Sequence, residues 1–276
     1  MKKIVMGVVV VLLLTGHPAF AAIQYDFFQS SRGDGEQGSS DFNARAVIDG
    51  QRSRVEFVGG NTYPPGTYVI STDGARRLLF VDPTQKIYTE VDTIGIASAI
   101  GTSNISITNL LSSVTKLDDT KVIAGIPSDH YRLTISYDIT VTYRSMPLKQ
   151  SVRTTIDKWT TVRFGDASDM AFSNSVQTGN AQIDELIAAE TTKIKGFPLR
   201  QTVQVITVNN ATQKTNSKLV LPTTRTKSRE TTVTAISETK TDDTLFRVPA
   251  GYAKNNYTEQ VTKSQTQVLS STTSTQ

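Results

Sequence analysis

From Tyr131 to Arg144 the chain alternates without a break. Tyr131, Leu133, Ile135, Tyr137, Ile139, Val141 and Tyr143 are apolar or aromatic, and Arg132, Thr134, Ser136, Asp138, Thr140, Thr142 and Arg144 separate them. A period of two excludes a helix and predicts a strand with one covered face and one wet face. At about 3.4 Å per residue, Tyr131 to Tyr143 would run for about 44 Å, long enough to demand strong twist or curvature. Pro147 separates it from a further strand near Ser151–Thr161 that carries Trp159. His130 continues the polar set that includes Arg132, so it is expected to be an exposed residue at the start of the strand. A site at a cavity rim is the competing reading, because loop ends often carry function.

Upstream the pattern is a meander of short antiparallel strands. Phe42, Ala44, Ala46 and Ile48 alternate up to Asp49-Gly50, and "QRSRVEFV" follows. Asp-Gly between alternating segments predicts a tight hairpin. Asp73-Gly74 repeats the signal between "TYVIST" and "ARRLLFV", and "DPTQK" at 82–86 turns the chain into "IYTEV".

Two stretches have helical spacing. Asn180 is a good N-cap, Asp184 and Glu185 suit a first turn, Lys193 and Lys195 a last turn, and Gly196 and Pro198 a stop. Ile183, Leu186, Ile187 and Ile194 supply the apolar stripe, interrupted by Glu190. The second stripe is Ile107, Leu110, Leu111, Val114 and Leu117, which predicts a helix within a helical stretch near 92–117. Beyond the first helix, "PLRQTVQVITV" and "TTVTAIS" read as strands, with a long polar hairpin region expected over 209–230.

The ends divide the chain into three parts. Lys2, Lys3, the apolar run Ile4–Leu14 and Ala19-Phe20-Ala21 form an export signal with cleavage expected after Ala21. The run is too short to span a bilayer. The predicted organisation is a signal peptide at 1–21, a single domain at 22–252 and a disordered polar tail at 253–276, too poor in apolar residues to order itself. The mature protein is expected in the periplasm or outside the cell, not spanning a membrane.

Composition mainly removes possibilities. The chain holds no cysteine, hence no disulfide, thiolate metal site, cysteine nucleophile or lipidated cysteine. Net charge is +4 and falls to +2 when Lys2 and Lys3 leave with the leader, with no long basic run, so nucleic acid is not an expected partner. His130 is the only histidine outside the leader, and no Gly-x-Ser-x-Gly elbow accompanies it. No catalytic residue, metal site or cofactor is assigned. Asp118-Asp119 and the acids at 166 and 169 lack calcium-loop spacing and read as solvated loop acids. A pair of carboxylates acting as a hydrolase leaves no sequence spacing to test. Arg32-Gly33-Asp34 lies in a Gly/Ser-rich loop and reads as chance. Asn104, Asn210 and Asn256 open glycosylation sequons that matter only in a glycosylating host.

The order of these pieces resembles a known architecture. Gly125 followed by Tyr131 in the long strand, Gly196-Phe197-Pro198-Leu199 after the helix, and Phe246-Arg247-Val248-Pro249-Ala250-Gly251-Tyr252 at the end resemble the LolA/LolB-like outer-membrane lipoprotein-sorting fold, specifically its exported relatives of unknown function. The resemblance runs from Ile23 to Tyr252. It implies a mainly β (α+β) protein, a curved antiparallel half-barrel with helices packed on its concave face, and in the carriers a cavity for acyl chains. The expected function is non-enzymatic binding of a lipid, acyl chain or other hydrophobic ligand. Candidate lining residues are Tyr131, Leu133, Ile135, Tyr137, Ile139 and Val141 from the long strand and Ile107, Leu110, Leu111 and Val114 from the second stripe. The alternatives are an envelope protein-interaction module and a carboxylate-based hydrolase.

Overall fold

The computed structural model describes residues 22–34, 39–92, 105–143, 146–165, 181–209, 214–215, 218–219 and 223–255. The leader with its cleavage site, Asn180, the acids at 166 and 169, the three sequon asparagines and the tail from 256 lie outside these residues.

The meander forms as its turn chemistry predicts. The strands are β1 (Ala22–Gly33), β2 (Ser40–Asp49), β3 (Arg52–Gly60), β4 (Tyr68–Ser71), β5 (Arg77–Asp82) and β6 (Ile87–Asp92). Asp49 pairs with Arg52, so the loop is Gly50-Gln51. Of the two only Gly50 has positive φ, 61°, which is the II′ rather than the I′ pattern. Then come β7 (Ile105–Ile123), β8 (Ile126–Tyr143) and β9 (Met146–Thr161), followed by a 3₁₀ turn at Val162–Phe164 and helix α1 (Ala181–Thr191). The chain continues through β10 (Phe197–Asn209), the short pair β11 (Lys214–Thr215) and β12 (Lys218–Leu219), β13 (Thr223–Thr239), a 3₁₀ turn at Asp243–Phe246, and β14 (Ala253–Lys254).

Twelve strands make one open, curved sheet in the order β14-β6-β5-β4-β3-β2-β1-β13-β10-β9-β8-β7. All pairings are antiparallel except β14 beside β6. The main apolar cluster joins Tyr25, Phe27, Phe42 and Phe57 to Trp159, Phe197 and Leu199. A separate cluster seats Phe246 on Val47, Tyr68, Ile70 and Val81, so the segment after β13 folds back over β2, β4 and β5.

Four expectations change. The stripe 107–117 is not a helix but part of the 19-residue strand β7. Its register against β8 shifts between Thr108 and Leu111 and again between Leu117 and Thr120. The first bulge inserts one residue and reverses which face the chain presents, so Ile107, Leu110 and Val114, three and four apart, pack on one face and imitate a helix, whereas the second inserts two and keeps the alternation in phase. Second, one helix, not several, is found among the described residues, and it rests against β7 and β8. It stops at Thr191, before Lys193 and Lys195. Third, residues 223–230 are not an open hairpin but the start of β13, paired with β10 through Thr223. Fourth, Ala253 and Lys254 pair with Ile87 and Tyr88.

Candidate functional site

Register places side chains on the two faces of the sheet. Ser31, Arg229, Val203, Ile156, Leu133 and Val114 form one row across six strands, so they share a face. On this face Leu133, Ile135, Ile156 and Val203 form a buried cluster with Ile183 and Ile187 of α1. Ile107, Leu110, Val114, Tyr137, Ile194 and Val205 pack around it. Six of the ten candidate lining residues therefore come together: Leu133, Ile135, Tyr137, Ile107, Leu110 and Val114. Ile139 is half-buried, while Leu111 is 69% exposed because the first bulge turns it outward. The side chain of Val141 lies outside the described set.

Tyr131 belongs to a different row. Gln29, Thr231, Gln201, Lys158, Tyr131 and Lys116 follow one another across the strands on the same face. Thr231 and Gln201 are buried, and the Thr231 hydroxyl donates to Gln29 Oε1 at 3.2 Å. This polar row divides the main aromatic cluster from the cluster under α1. Burial lowers the pKa of the Arg229 guanidinium, which sits in the row next to it.

The opposite face is polar, and His130 lies on it as its parity requires. It is nevertheless buried, at 5% exposure, which corrects the expectation of a wet residue. Its ring stacks on Trp159, centroids 4.1 Å apart and 19° from parallel. Nδ1 lies 2.6 Å from Asp119 Oδ1 and Nε2 lies 3.0 Å from Asp157 Oδ1. Each acid lies within hydrogen-bond reach of one ring nitrogen, so the pair fixes the orientation of the ring. Asp119 is one of the two residues that the second β7 bulge inserts. Its hydrogen bond from His130 holds its carboxyl below the usual range. Arg132 closes on Asp157 with two bonds, Nε to Oδ1 at 2.7 Å and Nη2 to Oδ2 at 3.1 Å. The ammonium of Lys121 and the guanidinium of Arg200 lie 4.3 and 5.1 Å from the centre of the Trp159 ring. The first bulge is fastened in the same way, with Asn109 Nδ2 donating to Asp138 Oδ2 at 2.7 Å. Asn109 has φ 54°, a conformation Asn tolerates better than most residues.

Beside this network a groove of about 580 Å³ crosses the sheet. One bordering row is Ser30, Glu230, Thr202, Asp157 and Arg132. The next row on that face is Arg32, Ser228, Gln204 and Thr155. No sequence signal pointed to this groove, because its residues come from five strands. Asp157 and Glu230 do meet the hydrolase expectation that two acids share a pocket. Each is already held by an arginine, however, Asp157 by Arg132 and Glu230 by Arg200 at 3.0 Å. Arg32-Gly33-Asp34 is not a loop apex. Gly33 pairs with Lys227, and the Asp34 carboxylate accepts from the Thr226 amide at 2.7 Å.

No protein-family model matches the chain, and no curated protein matches it. Among solved structures it is similar to an uncharacterized conserved protein from Thermus thermophilus, at 9% identity and TM-score 0.30, over 84% of this chain and 90% of that one. It is similar to a LolA superfamily protein from Nitrosomonas europaea, at 12% identity and TM-score 0.30, over 84% and 91%. A domain from Vibrio parahaemolyticus described as a putative outer membrane lipoprotein-sorting protein domain matches at 10% identity and TM-score 0.32, over 83% and 93%.

Proposed function

We propose that the protein is an exported, non-enzymatic binder of an amphipathic ligand with an acyl chain, held between α1 and the cluster on β7, β8, β9 and β10. The observation that carries this reading is that six candidate lining residues gather under a single short helix. A helix of 11 residues is marginal by itself. Its order rests on contacts such as those of Ile183 and Ile187, and an acyl chain would offer the same surface equivalent contacts. Each buried methylene would contribute about 0.8 kcal/mol. The row Gln29, Thr231, Gln201 and Lys158 borders the cluster with hydrogen-bonding groups, which suits a ligand with a polar end.

The test is titration of delipidated mature protein with a dansyl-labelled fatty acid. Saturable binding that unlabelled fatty acid displaces is the expected result. Absence of saturable binding would leave the cluster as a filled core and end the carrier reading.

A further inference from the structure

We propose that the groove on the opposite face is a binding site for a neutral polyhydroxylated ligand, namely a short oligosaccharide lying across the strands. Its volume, about 580 Å³, is that of a small-molecule site, yet the side chains that its two rows supply are all polar. Val203 is the one apolar residue of the lining, so the groove gives an apolar ligand little to bury against.

The charges decide among polar ligands. Asp157 is fixed by Arg132 and His130, and Glu230 by Arg200, so both carboxylates stand in the groove with their positions set. An anionic ligand would have to approach both of them. A cationic one would have to approach Arg132, Arg32 and Arg229. A hydroxyl group meets neither conflict, since it donates to a carboxylate lone pair and accepts from an N–H in the same contact. Donors remain for it. Arg132 uses Nε and Nη2 on Asp157, which leaves Nη1 without a protein partner among the described residues. The exposed Arg32 has no ion pair among them either. Hydroxyls and an amide at Thr155, Thr202, Gln204 and Ser228 can act in both senses.

Shape agrees with the chemistry. The groove crosses four inter-strand spacings between β1 and β8, about 19 Å at about 4.8 Å each, and its two rows lie about 7 Å apart. This is a long, narrow, polar track, suited to a chain of a few sugar rings rather than to one compact ion. It lies on the other side of the sheet from α1, so it stands or falls independently of the acyl-chain reading.

The experiment is NMR titration of the mature protein with three neutral tetrasaccharides, chitotetraose, cellotetraose and maltotetraose, and with inorganic phosphate. Saturable shifts from at least one tetrasaccharide, centred on Thr155, Thr202, Gln204 and Ser228, are expected. The exposed substitutions Arg32→Ala and Gln204→Ala should each weaken that binding at least tenfold while the remaining amide spectrum stays native. Binding of phosphate alone would overturn the proposal, as would no binding of any tetrasaccharide at millimolar concentration. Binding that both variants leave unchanged would also overturn it.

Discussion

His130 lies flat on Trp159, and its two nitrogens reach acids on two different strands, Asp119 of β7 and Asp157 of β9. One side chain thus ties the edge strand to the third strand of the sheet across its own. Its removal leaves Asp157 with one hydrogen bond fewer and Trp159 without its stacking partner. His130→Ala is expected to lower stability by about 2–3 kcal/mol, as for other buried hydrogen-bonded groups. Trp159 is the only tryptophan in the chain, so its fluorescence in a urea titration reports this site alone.

The same contact makes the clip acid-sensitive. Asp119 has a folded-state pKa below its unfolded value, first because of its hydrogen bond with His130. A depressed carboxylate contributes stability that is present above the unfolded pKa, about 3.9, and lost as pH falls through the folded value. The protection factor of the amides at Asp118–Thr120, that is, exchange relative to the intrinsic rate at each pH, should therefore fall below about pH 4 more steeply than at other sites of β7. In Asp119→Asn that extra acid step should vanish, and exchange at neutral pH should already be faster. An unchanged acid profile in the variant would show that the clip contributes nothing.

Gly196 is set by geometry rather than by helix-stopping preference. It has φ 90°, and a Cβ there would lie 2.5 Å from the Thr161 carbonyl oxygen, next to the fully buried Phe197. Gly196→Ala is expected to destabilise by about 2 kcal/mol or more, since strain and clash coincide. Gly50→Ala, with φ 61° and open space around it, should cost only about 1 kcal/mol. Thermal melts of the two variants check the difference.

Ile187→Ala separates a displaceable helix from a permanent core. The side chain is 9% exposed and contacts the cluster under α1. Its truncation should lower stability by about 2 kcal/mol. If α1 must yield to the ligand, the same change should tighten labelled fatty-acid binding, up to about tenfold for each 1.4 kcal/mol of lost helix docking. Unchanged binding would place the ligand elsewhere, and weaker binding would show that Ile187 itself contacts the ligand.

How much of this was legible in advance differs by element. The 131–143 alternation, the hairpin turns and the helix around Ile183 and Ile187 are local patterns, and each is found where its residues predict. The polarity of the face that carries His130 follows from parity alone. Its burial does not, because the residues that cover it come from elsewhere: Asp119 is eleven residues upstream and Trp159 is twenty-nine downstream.

Strand β7 shows the boundary most clearly. Its sequence contained the bulges only as hints, an asparagine at 109 and paired acids at 118 and 119 in an otherwise β-branched and hydroxyl-rich run. Read locally, gaps of three and four between apolar residues mean a helix. Once β8 supplies the backbone partner, the one-residue bulge near Asn109 brings Ile107, Leu110 and Val114 onto one face of a strand. The chain by itself determined which residues alternate, where it turns and which chemistries it lacks. Only the tertiary structure decided which alternating positions share a face and a row. That is set by register between strands distant in sequence, and a single inserted residue reverses it.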